Sequence, residues 1–303
     1  EELGGYPTFG DYQNALETTK PDAVSINTYP DTHSEYIRMA LNANAHVFVE
    51  KPLALTVEDA QSLVDLAKEK NKKVVVGYIL RVHPAWAKFV EVARTLGKPL
   101  VMRMNLNQQS RGDEWSTHKS LMQSMSPIVD CGVHYVDVMC QMTRSKPVRV
   151  SAIGARLTDE IPDGMYNYGQ LQVVFEDGSI GWYEAGWGPM ISETAYFVKD
   201  VFSPNGAVSI SNGNTDASDD VDGHTKVGAI LVHRRTGDEK IQMPEEPGHQ
   251  DLCDAEQAFM IAAIAEDKDL TRHLKDAVES LAICLAADKS IRTGQPIDLG
   301  DTL

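Results

Sequence analysis

The sequence predicts an α/β chain in two parts: a parallel sheet wound with helices, then an α+β domain built on a large, mostly antiparallel open sheet. Three observations carry this. Residues 23–79 alternate short β-branched runs with helical patterns. Beyond residue 99, strand patterns succeed one another with few helices between them. The chain has 303 residues, 42% hydrophobic and 24% charged, an ordinary globular composition with room for more than one core.

In the first part, strands are predicted over 23–27, 46–49 and 73–79. Thr32 and Glu35 are spaced as a capping box opening a helix whose buried face carries Ile37, Ala40 and Leu41. Thr56 and Asp59 open the next, with Val57, Ala60, Leu63, Val64 and Ala67 at helical spacing. Strands joined by helices of this length pair in parallel through right-handed crossovers. The pattern changes after Arg81, so residues 1–82 are read as one domain and 83–303 as a second.

The second domain opens on a helix near 84–96, with Pro84 at its first turn. Strands follow over 100–107, 147–155, 168–176, 179–187, 195–202, 207–211 and 227–234, with turn signals at Asp177-Gly178 and Asn205-Gly206. Helices are expected over 127–143, 249–265 and 272–291. The acidic stretch 212–223 loosely suggests a calcium loop, but its ligand spacing is wrong and its composition is that of a solvated hairpin loop.

A net charge of −16 argues against a nucleic-acid partner, and the longest apolar run, 258–265, is far short of a bilayer span. No secretory signal is read in residues 1–10. The four cysteines lack metal-ligand spacing and fall in stretches read as helices, which points to a reduced, cytoplasmic setting.

Ligands of open parallel sheets bind outside the carboxyl ends of the strands. Here those ends are polar: Asn27-Thr28-Tyr29-Pro30-Asp31-Thr32-His33, Glu50-Lys51-Pro52, and Gly77-Tyr78 running into Arg81-Val82-His83-Pro84. Singly, each segment reads as a solvated loop, with Pro52 shaping a turn, Arg81 on the surface and His33 packed in its helix; their convergence points to a site. A second constellation is Asp130, His134 and Asp137, whose spacing puts all three on one helical face. A carboxylate one turn from an imidazole can orient it and stabilise its cation, as a general acid/base requires. The same spacing suits a plain polar face. It suits a metal less well, because no fourth ligand is evident.

These segments, together with His46-Val47-Phe48-Val49 before Glu50, Asp130-Cys131-Gly132-Val133-His134-Tyr135-Val136-Asp137 and the closing Thr293-Gly294-Gln295-Pro296-Ile297, resemble the glucose–fructose oxidoreductase, inositol dehydrogenase and rhizopine catabolism (Gfo/Idh/MocA) family over nearly the whole chain. The resemblance implies a Rossmann domain binding NAD or NADP, then a substrate domain whose open sheet makes dimer or tetramer contacts. It implies that Lys51 is catalytic, that His134 is the acid/base with Asp130 as its acidic companion, and that Asn27, Thr28, Pro30, His33, Glu50, Lys51 and Arg81 line the cofactor. Lys51, Asp130 and His134 then face a small sugar or polyol. Trp115 joins them as a substrate contact, with His118, Tyr166 and Trp187 as further candidates, since such side chains are common in polyol pockets.

Two departures stand out. No Gly-x-Gly-x-x-Gly turn occurs anywhere, so the amino-terminal βαβ unit of the Rossmann domain is read as missing and the native polypeptide is expected to be longer. Without it, the strand at Ala23 has an open apolar edge. Ser124-Met125-Ser126-Pro127 stands where many relatives carry glycines, so no particular sugar is inferred. The implied chemistry is hydride transfer from a secondary hydroxyl carbon, with Lys51 or His134 accepting the proton. The alternatives are a lyase or glycosidase using nicotinamide transiently, a non-catalytic dinucleotide sensor, and an inactive fragment.

Overall fold

A computed structural model describes residues 4–192, 198–211, 227–244 and 246–300. The chain divides into two compact units, Glu1–Gly77 with Met260–Leu274, and Tyr78–Phe259 with Lys275–Leu303.

The first unit runs α1 (Tyr12–Thr19), β1 (Ala23–Ile26), α2 (Pro30–Asn42), β2 (His46–Glu50), α3 (Val57–Glu69) and β3 (Val74–Gly77). Its three strands are parallel in the order β1-β2-β3, as the strand–helix alternation requires. Val47, Phe48, Val49 and Val74–Val76 are all buried, because a parallel sheet is covered on both faces. Ile37, Ala40 and Leu41 line the buried face of α2 as their spacing predicts, and burial of Ile37 or Leu41 contributes about 1.5–3 kcal/mol. Thr56 caps α3 by accepting the Asp59 N–H at 3.1 Å. The expected box at Thr32 does not form. Tyr29 is the N-cap of α2, three residues earlier, with Pro30 in its first turn, and the Thr32 hydroxyl donates to the Tyr29 carbonyl at 2.8 Å instead. In this sheet β3 is an edge, and His273 Nε2 accepts the N–H of Val76 at 2.9 Å there.

The second unit contains α4 (Ile79–Val82), α5 (Pro84–Thr95), β4 (Val101–Gln108), α6 (Gly112–Leu121), α7 (Pro127–Asp130), α8 (Gly132–Thr143), β5 (Pro147–Ala155), β6 (Tyr168–Phe175), β7 (Ile180–Trp187), β8 (Lys199–Ser203), β9 (Gly206–Ser211), β10 (Ala229–Arg234), β11 (Gly237–Gln242), most of α9 (His249–Ala265) and α10 (Thr271–Thr293), and β12 (Ile297–Asp298). Nine strands form one sheet in the order β11-β10-β9-β8-β4-β7-β6-β5-β12. Among the described residues, the named strands pair antiparallel except β4 with β7. One face packs on α5 and α8, with Trp86, Phe89, Tyr135 and Tyr183 buried. Gly181 permits this contact, since a Cβ there would sit 2.6 Å from Met139 Sδ. Val174, Ile180 and Phe202 are exposed.

Three further expectations change. The helix read over 127–143 is two, with Cys131 between α7 and α8. Helices α1, α4 and α6 and strands β11 and β12 are not read from the sequence, and α4 opens at Ile79, where the third strand is expected to end; α6 and β11 lack the apolar periodicity that would reveal them. The strand read over 195–202 is described from Lys199 onward, and the acidic stretch 212–223 lies outside the described residues.

Candidate functional site

In the first unit the strand ends set the geometry. Asn27, Thr28 and Tyr29 leave β1 exposed, and Thr28 pairs its hydroxyl with Thr32 at 2.6 Å. His33, one turn into α2, is fully buried. Its Nε2 lies 3.0 Å from the Thr28 carbonyl and its Nδ1 lies 2.8 Å from the Pro52 carbonyl. It therefore ties the loop after β1 to the segment carrying Lys51. Glu50 ends β2 opposite Gly77. A Cβ on Gly77 would lie 3.2 Å from Glu50 Oε2, so the glycine makes room for that carboxylate. Lys51 is half-buried, and Pro52, Leu53 and Ala54 are buried behind it.

In the second unit Arg81 is clamped. Its Nε donates to Asp137 Oδ2 at 2.8 Å, and its Nη2 donates to Asp137 Oδ1 at 2.5 Å and to Asp276 Oδ2 at 3.1 Å. Gln141 also donates to Asp137 Oδ2, at 2.9 Å. Burial opposes the charge on Arg81, but Asp137 and then Asp276 outweigh it and raise its pKa. Tyr78 presents an edge-on ring to His134, 5.8 Å between centroids, and its hydroxyl meets Ser280 Oγ at 3.1 Å. Burial first, and Asp137 second, push the Tyr78 phenol upward.

Asp130 and His134 do not share one unbroken helix as the spacing predicts. Asp130 closes α7 and His134 lies in the first turn of α8, because the chain tightens at Cys131. The start of α8 lies against Tyr183: a Cβ on Gly132 would be 3.0 Å from its ring. Asp137 is committed to Arg81 and Gln141. The Cys131 thiol donates to Asp130 Oδ2 at 3.4 Å and reaches Gln108 Oε1 at 3.7 Å. Trp187 Nε1 donates to the same Gln108 oxygen at 2.8 Å, and His118 stacks flat on Trp187 at 4.2 Å. Asp130 thus sits in a buried polar cluster with Gln108, Cys131, Trp187 and His118. Trp115 lies on α6, its indole N–H 3.4 Å from Glu160 Oε2. Tyr166 meets Ser126 and Asp288.

Gln108, Asp276 and Asp288 are not read from the sequence, and Ser126 enters only as part of the 124–127 segment. Gln108 had a usable signal: it ends β4 in register with Trp187 at the end of β7, the carboxyl ends of the one parallel pair in this sheet. Asp276 and Asp288 had none, since each acts on residues remote in the chain.

Residues 2–78 match a profile described as "Oxidoreductase family, NAD-binding Rossmann fold", and residues 90–194 match the "GFO/IDH/MocA C-terminal domain". The chain is 31% identical over 140 residues to UDP-N-acetylglucosamine 3-dehydrogenase of Acidithiobacillus ferrooxidans, a match covering 46% of this chain and 42% of that protein. It is 26% identical over 310 residues to scyllo-inositol 2-dehydrogenase (NAD(+)) of Bacillus subtilis, covering 98% of this chain and 83% of that protein. An oxidoreductase structure from Thermotoga maritima superposes with a TM-score of 0.77 at 20% identity, covering 100% of this chain and 86% of that one, which shows the shared fold. The chain belongs to the Gfo/Idh/MocA oxidoreductase family, with an NAD-binding Rossmann domain followed by that family's carboxy-terminal domain.

Proposed function

We propose that this protein is an NAD(P)-dependent dehydrogenase that oxidises a secondary hydroxyl of a sugar, polyol or inositol-like substrate. The observation that carries the reading is the Glu50-Lys51-Pro52 segment at the carboxyl end of a parallel strand, tied through His33 to the exposed loop at Thr28. The residues fit a dinucleotide. Asn27 and Thr28 offer exposed amide and hydroxyl groups outside the carboxyl end of a parallel strand, where ligands of such sheets bind. Bound nicotinamide supplies the hydride acceptor.

The remaining work falls to the chain. Lys51 Nζ is assigned removal of the substrate hydroxyl proton. His134 is assigned the alternative role of proton acceptor, its imidazole packed at a steep angle against the Tyr78 ring. Asp130 is assigned a hydrogen bond to substrate, with Trp115 contributing a wall. His33 acts through the two carbonyls it touches. Arg81, among the cofactor-lining positions, acts by fixing α4 to α8 and α10. The exposed Val174, Ile180 and Phe202 on the large sheet support self-association through that sheet.

Titration with NAD and with NADP, followed by a panel of inositols and sugars, tests this reading. Saturable binding and substrate-dependent reduced nicotinamide are expected. Binding of neither dinucleotide rejects the reading. Binding with turnover in which no reduced cofactor accumulates would favour transient oxidation instead.

A further inference from the structure

Helix α7 is a single turn, and a single turn does not hold itself together, because fixing the first turn costs more than its one or two hydrogen bonds return. Ser126 holds it. The Ser126 Oγ accepts the N–H of Val129 at 3.1 Å, and its carbonyl accepts the N–H of Asp130 at 2.9 Å. Ser126 is itself fully buried. Its hydroxyl proton goes to Asp288 Oδ1, 2.7 Å away on α10. The phenol of Tyr166 lies 2.5 Å from the same oxygen and 2.9 Å from Ser126 Oγ. Each hydroxyl has one proton, and the carboxylate oxygen can accept both. That leaves the lone pairs of Ser126 turned toward Val129 and the start of the turn. Asp288 therefore fixes the direction of the Ser126 proton, which leaves a lone pair aimed at the Val129 N–H.

We propose that Asp288 is a positioning residue for Asp130, acting through the hydroxyl of Ser126. The proposal rests on the reading that Asp130 serves the substrate. It assigns a function to Ser126 in the Ser124-Met125-Ser126-Pro127 segment, one of the two departures from the resemblance. A glycine at 126 has no hydroxyl to be held, so this coupling belongs to the serine.

Asp288→Asn and Asp288→Ala separate positioning from mere charge. Asparagine keeps an oxygen that accepts both hydroxyl protons; alanine keeps none. With inositol and NAD as probes, Asp288→Ala is expected to lower kcat about tenfold, with the KM for NAD within about twofold of wild type; Asp288→Asn is expected to retain kcat within about twofold. The carboxyl NMR resonance of Asp130, in protein labelled at aspartate and assigned with Asp130→Asn, is expected to move in Asp288→Ala and to stay in Asp288→Asn. If Asp288→Ala does not fold, Ser126→Ala is read in the same two ways. An unmoved Asp130 resonance in Asp288→Ala, or equal effects of alanine and asparagine, overturns the proposal. A wild type that binds neither dinucleotide and oxidises no polyol overturns the functional reading alone, and the resonance then decides the positioning role.

Discussion

The guanidinium of Arg81 grips the carboxylate of Asp137 with two parallel hydrogen bonds, and both side chains are largely withdrawn from solvent. Asp137 lies one turn beyond His134 on α8, so the pair fixes the helix that carries the proposed acid/base. Removing one partner leaves a buried charge uncompensated. Arg81→Met is expected to destabilise the protein by about 3–5 kcal/mol in urea unfolding. Arg81→Lys keeps the charge but loses the planar fork, and should fall between the two. A loss in Arg81→Met below about 1 kcal/mol, the value of an exposed pair, would contradict the clamp.

His33 links two loops rather than facing solvent, with one ring nitrogen on each of two backbone carbonyls. Leucine fills the space but offers no N–H to either carbonyl. His33→Leu should cost about 1–3 kcal/mol of stability and weaken NAD binding about tenfold by calorimetry. Unchanged affinity in a folded variant would show that the loop after β1 holds its shape without the link.

Lys199 is wholly buried, its Nζ donating to the Asn105 carbonyl and lying 4.8 Å from the ring centre of Tyr135. Burial drives its pKa well below the ordinary lysine range. The unfolded chain therefore binds this proton more readily than the folded one. Between the lowered value and about 10.4, stability rises with pH, and the penalty is gone above that range. Lys199→Met is expected to be more stable than wild type near neutral pH, with the gap in Tm closing as pH rises toward about 10. A gap that is constant with pH would show that the buried amine is not the cause.

Much of this was legible in the sequence. Ile37, Ala40 and Leu41 announced the buried face of α2, and Thr56 with Asp59 announced a cap that forms. Thr32 and Glu35 carried the same signal without the cap, because Pro30 is a stronger start and takes the helix earlier. The tightening at Cys131 was invisible, since one such residue leaves the hydrophobic spacing of its neighbours intact. Strand β11, almost entirely exposed, has no apolar face to betray it. Among the candidate site residues, Asp130 and His134 stand out by spacing, and Lys51 by its place at a strand end together with the family resemblance. Asp276 and Asp288 do not, because long-range partners leave no local pattern, and Gln108 shows only as the end of a strand.

The most direct test of the central claim is the rate of reduced-nicotinamide formation by wild type and Lys51→Ala, with inositol and sugar substrates and each dinucleotide in turn. Lys51 is half-buried at a strand end, and the melting temperature of the variant checks that it is folded. Turnover is expected to fall about 10²–10⁴-fold, the usual contribution of general acid/base assistance. A folded Lys51→Ala protein that turns over as fast as wild type would contradict the assignment of the proton transfer to this lysine.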